Sequence, residues 1–589
     1  MDNTIIQELT DVVVGQSGNH FDCNLTPLKN EGNVSLYRLE IKAKEDFIPK
    51  PVTIEWKVPA IGVKGYWRPT ADFSKRIEAD WELQSHESRI SIDAPILQLF
   101  GNTDENIVCF SCSNAINKIE MAAKYREEDN HFYCRLVFFT ECKYPIKDFS
   151  AEIRMDYRNI HFSQALRDTT VWWEEHEHLK PAYVPEIAKK PLYSTWYQFH
   201  QNLEEEALVR ECSLAKDLGF EAVIIDDGWQ TKDNNRGYDY TGDWKPDRFD
   251  DIKRVVESIQ ELGVAVGLWY SVPFCGRKSE AYKKFKGKFL TENHRWAPVF
   301  DPRFPEVRQY LVGIYVEAVK NWNLDGLKLD FIDDFKAYPD TSFEHHPDRD
   351  FSSINEAVDQ LLSEVSQELK KLNPDIFIEF RQKYTGPAMR KYGNMLRSFD
   401  CPGDYVMNRV RIADIKMMSG TTAVHSDMIK WHFEEHVETA AIHYMNALFG
   451  VPQISIMLAD APEAHIQMVK FYTQYWKSRS EVLLSTNFIP SSPLSNYPIL
   501  EANLNQVLVV GVFEDSFYTL SKEYQELDIL NAKFSGEVPI LCSKDFGTFS
   551  CSMFDCLGNV IAVENLNFSK GMLTLSIPPG GMLMAQRQS

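Results

Sequence analysis

Hydrophobic and polar positions follow three successive patterns along the chain. Over roughly the first 185 residues, runs such as VSLYRLEIKAK, PVTIEWKV, SRISIDAPILQLF and HFYCRLVFFTEC alternate at period two between polar turns. Several such runs in succession predict a β-sandwich. A charged, proline-bearing stretch, EEHEHLKPAYVPEIAKKP, has the composition of a linker and closes this region. From Pro191 onward, short apolar runs alternate with longer segments of helical period. The strand candidates are LYSTWY, EAVIIDDGW, VAVGLWYSV, DGLKLDFI, IFIEF, MLRSF, TTAVHSD and PQISIM. Between them lie helix candidates such as NLEEEALVRECSLAKDLG, FDDIKRVVESIQELG, FPEVRQYLVGIYVEAVKNW and INEAVDQLLSEVSQELKKLN.

Eight strand–helix units over about 290 residues predict a (β/α)8 barrel. A doubly wound sheet would want a glycine-rich phosphate turn after its first strand, and STWYQFH offers none. The chain then returns to β character in NQVLVVGVF, EVPILC, NVIAV and MLTLSIP. The expected architecture is multidomain: an N-terminal β-sandwich over 1–187, a central (β/α)8 TIM barrel over 188–485 and a smaller C-terminal β-sandwich over 486–589.

Composition narrows the function classes. The 589 residues carry 63 basic and 85 acidic side chains, a formal charge of −22 without a basic stripe, which argues against nucleic acid. No window approaches the ~18 apolar residues of a membrane span. The opening MDNTIIQELTDVVVG lacks the basic flank and apolar core of a signal peptide, so the expected compartment is the cytoplasm. Eleven cysteines are scattered, and the single C-x-x-C of Cys109 and Cys112 has no second pair or nearby histidine. Neither structural zinc nor a disulfide framework is expected.

A barrel of this type places its active site at the C-terminal ends of the strands. There the sequence offers Asp226 and Asp227, Trp269, Lys328 and Asp330, Glu379 and Arg381, Arg397 and Asp400 with Asp404 beyond, and His425 with Asp427. A sugar presents hydroxyls to carboxylates and cations, and an apolar face to tryptophan. Cleaving a glycosidic bond needs two carboxyl groups, one to protonate the leaving oxygen and one to act at the anomeric carbon. Lys328 and Asp330 stand two apart on a strand and share the lumen, so the ammonium keeps Asp330 ionised as a nucleophile. Asp400 or Asp404 can serve as the acid. Plainer roles compete for each residue: helix cap for an aspartate, core filling for a tryptophan, a hydrogen-bonded structural role for His425, a buried partnership of Glu379 with Arg381. Asp333 and Asp334 read as loop or cap residues. A metal site from His425, Asp427 and Asp226 has no supporting ligand spacing.

The series STWYQFH, EAVIIDDGWQ, VGLWYSVPF, GLKLDF, LRSFDCPGD and TTAVHSD resembles the α-galactosidases and raffinose synthases of glycoside hydrolase family 36 over the barrel, about half the chain. The resemblance implies the three-part layout, Asp330 as nucleophile, and Asp400 as acid/base in a motif whose second aspartate is replaced by Cys401. Asp404 is the reserve acid. Asp226 and Asp227 match the pair that grips O4 and O6, Lys328 the residue holding O3 and O4, and Trp196 and Trp269 the walls of the sugar site. Arg295 is similar to an arginine of the larger bacterial members. Where those members carry a Cys and glycine-rich loop contacting O2, this chain has FRQKYTG, so Arg381 takes the 2-position and N-acetylgalactosamine stays open beside galactose. Trp67, in GYWRPTAD, matches a lid position.

The implied activity is retaining, exo-acting hydrolysis of terminal α-galactosides of oligosaccharides by double displacement, with no metal or cofactor. The alternatives are a raffinose-synthase-like galactosyltransferase, an α-N-acetylgalactosaminidase, and below them a non-catalytic sugar-binding protein. A homo-oligomer stays open.

Overall fold

The computed structural model describes residues 13–15, 21–82 and 85–588. Residues 1–12 of the N-terminal stretch read above for a leader therefore lie outside the described residues. Two antiparallel sheets come first. One has five strands, ordered Val13–Gly15, Val52–Pro59, His131–Phe138, Ile119–Arg126 and His86–Ser88. The other has six, ordered Asp22–Glu31, Val34–Phe47, Ile146–Asp156, Asn106–Cys112, Ile96–Gly101 and Val63–Trp67. Period two has its expected result along Val52–Pro59, where Val52, Ile54, Trp56 and Val58 turn inward. They pack with Leu39, Leu97, Phe110 and Leu136 between the sheets. Cys109 and Cys112 sit three apart on one strand, face opposite sides and join different cores.

Three details differ from the sequence reading. SRISIDAPILQLF is not one strand. It turns between Arg89 and Ile92, passes Asp93 at a φ of 54°, and resumes as Ile96–Gly101 with every residue buried. The β-rich region also contains a helix, Phe162–Glu174, which His161 caps through Ser163 N. Its buried stripe of Phe162, Ala165, Leu166, Thr169 and Trp173 has the 3.6 period. Finally, the stretch with linker composition is packed: Leu179 and Ala188 are buried, and the Ala188 carbonyl accepts from His425 Nε2 at 2.7 Å.

All eight expected barrel strands form, in sequence order and parallel: Leu192–Ser194, Ala222–Ile225, Ala265–Ser271, Gly326–Asp330, Phe377–Arg381, Met395–Arg397, Ala423–His425 and Gln453–Ile454. The last pairs with the first, and a parallel bridge between His425 and Val451 draws the remaining seam together. Outer helices include Glu205–Leu218, Ile252–Glu261, Pro305–Trp322 and Ile354–Leu372. A seven-stranded sheet running from Phe488–Pro490 to Val560–Asn567 then faces a three-stranded one around Leu508, Ile529, Ile540 and Leu583. Among the described residues, no helix is long and apolar enough to cross a membrane.

The barrel floor positions everything above it. Leu192, Ile224, Phe377, Met395 and Ala423 plug the lumen from below. Gly267 and Gly326 are paired on adjacent strands, and a Cβ on Gly326 would stand 2.2 Å from the Phe377 ring. The two glycines therefore exist to let that ring cross the lumen. Gly326→Ala should lower stability by about 1–3 kcal/mol in denaturant unfolding. Adding Phe377→Leu should recover part of the loss, and additive losses would contradict this packing.

Candidate functional site

Alternation along the strands lifts a second lumen layer above the floor, and it is charged. Asp330 ends the fourth strand and is buried. Its Oδ1 accepts from Arg381 Nε at 2.6 Å, Tyr384 OH at 2.9 Å and Phe331 N at 2.7 Å. Its Oδ2 accepts from Trp269 Nε1 at 3.0 Å, with Lys328 Nζ at 3.9 Å. Burial alone would raise this carboxyl. Arg381 and Lys328, helped by the Trp269 hydrogen bond, outweigh burial and hold it well below the usual carboxylate range. Asp330 is thus an anion at any ordinary pH.

Lys328 also binds Asp226 Oδ2 at 2.7 Å, so one ammonium bridges two strand ends. The next residue, Asp227, accepts from Gln201 Nε2 at 2.7 Å and Gln230 Nε2 at 2.6 Å. Gly228 makes that approach feasible: at its φ of +116°, a Cβ would lie 2.5 Å from Gln201 Cα. Burial pushes the Asp227 carboxyl up to about 7 against these hydrogen bonds. Trp269 forms a wall, 6.1 Å from Tyr238 and 6.4 Å from Phe331 between ring centres. Trp196 stands after the first strand with its ring edge-on to His200 at 4.6 Å.

The opposite rim is organised by Arg397. Its Nη2 donates to Asp400 Oδ1 at 2.8 Å, its Nη1 to Asp427 Oδ1, and its Nε lies 3.5 Å from Glu379. Asp427 is wholly buried and also accepts from Tyr197 OH at 2.8 Å and Cys401 N at 2.6 Å. Burial raises Asp427, to about 6, and Arg397 works against that rise. Asp400 instead opens to solvent, its side chain 41% exposed. Burial of its surroundings raises it, but Arg397, Arg381 and Lys328 hold it below the usual carboxylate range.

A family model described as Melibiase matches residues 175–392. Over that segment the chain is similar to the melibiase family. A curated relative, the α-galactosidase AgaA of Geobacillus stearothermophilus, is 31% identical over 98 residues, covering 16% of this chain and 13% of the relative. The aligned part is thus a small fraction of that protein's length. Across the whole fold, the solved structure of AgaA superposes with a TM-score of 0.66 at 15% identity, covering 96% of this chain and 81% of that one. The α-galactosidase structure from Lactobacillus brevis gives 0.62 at 12% identity, covering 98% and 87%. The resemblance to glycoside hydrolase family 36 and the order sandwich, barrel, sandwich both hold.

Within the barrel, some expected residues stand apart from the charged layer. Asp404 caps the helix Tyr405–Lys416 by accepting from Met407 N at 2.8 Å, and it is exposed. His425 donates or accepts at both ring nitrogens, toward Ala188 O and Gln453, and burial lowers it to about 4. It is a structural histidine in the strand layer, with no nitrogen left for a ligand. Arg295 lies in an exposed loop, stacked 4.8 Å over Trp296. Arg381, assigned above to a substrate hydroxyl, commits its Nε to Asp330 and its Nη1 to the Gln382 carbonyl. Tyr384, Tyr197 and Asn408, whose Oδ1 accepts from Asp427 N at 2.9 Å, are partners the sequence reading did not single out; they sit in loops or on a helix, where strand alternation says nothing.

Trp67 is not a lid. It is fully buried where the N-terminal sheet meets the barrel, donating to Asp414 Oδ1 at 3.0 Å and Tyr497 OH at 3.1 Å, with Lys75 on Asp414 at 2.9 Å. Other N-terminal residues reach the rim: Asp93 N donates to Lys383 O, and Asp72 pairs with Arg411, which itself donates to the Asp400 carbonyl. Trp67→Phe should therefore lower stability by about 1–3 kcal/mol through the lost hydrogen bonds. KM for a sugar substrate should not change. A raised KM at unchanged melting temperature would restore the lid role.

Proposed function

We propose that the protein is a retaining, exo-acting α-galactosidase. The carrying observation is the contrast between its two carboxylates: Asp330 held ionised and hydrogen-bonded in the lumen, Asp400 at the open rim with one oxygen uncommitted. Asp330 attacks the anomeric carbon while Asp400 gives its proton to the leaving oxygen, and the C1–O bond breaks. Water then attacks C1, Asp400 takes its proton, and the bond to Asp330 breaks with its electron pair returning to the carboxylate. Asp226, Asp227 and Lys328 read the galactose hydroxyls, and Trp196 and Trp269 its apolar face. Solved structures of AgaA variants in complex with raffinose and with stachyose support an α-galactoside oligosaccharide as substrate class. We read the compartment as cytoplasmic, which eleven free cysteines support.

Hydrolysis of p-nitrophenyl α-galactoside, run beside the α-N-acetylgalactosaminide with the product anomer followed by NMR, should release α-galactose first. β-Galactose first would contradict double displacement, and preference for the acetamido sugar would overturn the reading of the 2-position. Asp330→Ala should abolish turnover. Asp400→Ala should harm alkyl galactosides far more than aryl ones with good leaving groups.

A pH profile follows from Arg397 standing between Asp400 and Asp427. Arg397 holds Asp400 below the usual carboxylate range, so kcat/KM for alkyl galactosides, which needs this acid protonated, should fall as pH rises from the acid side. Asp427→Asn removes a neighbouring negative charge and frees Arg397 for Asp400. Both effects favour ionised Asp400, so the basic limb should move to lower pH. An unmoved or upward-shifted limb would separate Asp427 from the acid.

A further inference from the structure

The two oxygens of Asp330 are not equivalent. Among the described residues, Oδ1 accepts three donors and Oδ2 accepts only the Trp269 indole. The three donors form a connected unit. Phe331 takes a φ of +64°, which a bulky side chain rarely adopts, and this turns its N–H back toward Oδ1. The same N–H lies 3.1 Å from the Tyr384 oxygen, whose own proton goes to Asp330. Arg381 stacks near the Phe331 and Tyr384 rings, 5.1 and 5.4 Å from their centres. Tyr384 is fully buried, so its hydroxyl has little freedom to serve anything else.

We propose that Tyr384, acting with Arg381, is a positioning residue that anchors Asp330 Oδ1, leaves Oδ2 as the attacking oxygen, and exerts its kinetic effect on the second displacement. This rests on the double-displacement reading above. In the first step Oδ2 forms the bond to C1, and negative charge leaves the carboxylate. Donors on Oδ1 hold that charge back, so they do not assist this step. In the second step the C1–Oδ2 bond breaks, its electron pair returns, and charge regrows on both oxygens. There the Tyr384 hydroxyl and the Arg381 guanidinium stabilise the departing carboxylate as it forms.

The test is Tyr384→Phe on the full chain with p-nitrophenyl α-galactoside. Loss of one hydrogen bond to a charged group should reduce kcat about ten- to a hundredfold. kcat/KM, which reports the first step, should stay within about threefold. The galactosyl-enzyme should then accumulate, giving a nitrophenol burst of one per active site and a protein mass raised by one hexose residue. Azide, a better nucleophile than water, should raise kcat in the variant more than in the wild type. Arg381→Lys provides a second reading of the same signature if the first variant does not fold. A parallel fall of kcat and kcat/KM without a burst, or wild-type kinetics, would overturn the anchor while leaving the glycosidase reading intact. A wild-type protein that cleaves no α-galactoside would sink the reading, and the anchor with it.

Discussion

Everything in the site depends on a layer of charge held where charge is expensive. Lys328, Arg381 and Arg397 are buried in the lumen, and each bridges more than one carboxylate. Lys328 joins Asp226 to Asp330; Arg381 joins Asp330 to Asp333; Arg397 joins Asp400, Asp427 and Glu379. A single buried ion pair often gains little over an apolar substitute, yet removing one member of such a pair is severe, because the other remains uncompensated. The layer is therefore better understood as a device for fixing charge positions than as a source of stability. Its geometry holds because the charges sit at successive strand ends, whose spacing the barrel sets.

The neighbouring layers exist to keep that device dry. Below, the Phe377 ring fills the lumen between two glycines. Around it, Trp229, Trp244 and Tyr270 pack ring on ring behind Trp269, with the Trp229 indole donating to the Trp269 carbonyl at 2.8 Å. Excluding water lowers the effective dielectric, so Arg381 and Lys328 act on Asp330 far more strongly than they would at a surface. The N-terminal sandwich contributes through contacts at the rim: Asp72 braces Arg411 against the Asp400 carbonyl, and Asp93 holds the loop after the fifth strand. Trp67 and Asp414 lock the joint behind them.

The barrel was legible because buried parallel strands read as short apolar runs, and period two then identifies which polar residues share the lumen. Lys328 with Asp330, and Glu379 with Arg381, were visible for that reason alone. Alternation stops where a strand stops. Tyr384 lies three residues past its strand, and nothing in its local pattern points it at Asp330. Trp67 was misread because its partner Asp414 is 347 positions away, a contact that no local period encodes. Asp404 carried a legible signal of another kind: an aspartate just before a helix is a cap, and it is one here. The helix Phe162–Glu174 shows the converse. Its 3.6 period was present in the sequence but hidden by the β-rich context around it.

The shared cations also explain how one carboxyl can act as acid and then as base in the proposed reaction. Before the first step Asp330 is negative, and its charge offsets much of the field that Arg381 and Lys328 exert on Asp400. That offset raises the proton affinity of Asp400 when a proton must be delivered. Once Asp330 is esterified its charge is gone, while both cations remain in place. Their uncompensated field then falls on Asp400 and favours its ionised form, which is what accepting a proton from water requires. No side chain has to move for this reversal. It follows from two cations whose fields reach both the nucleophile and the acid.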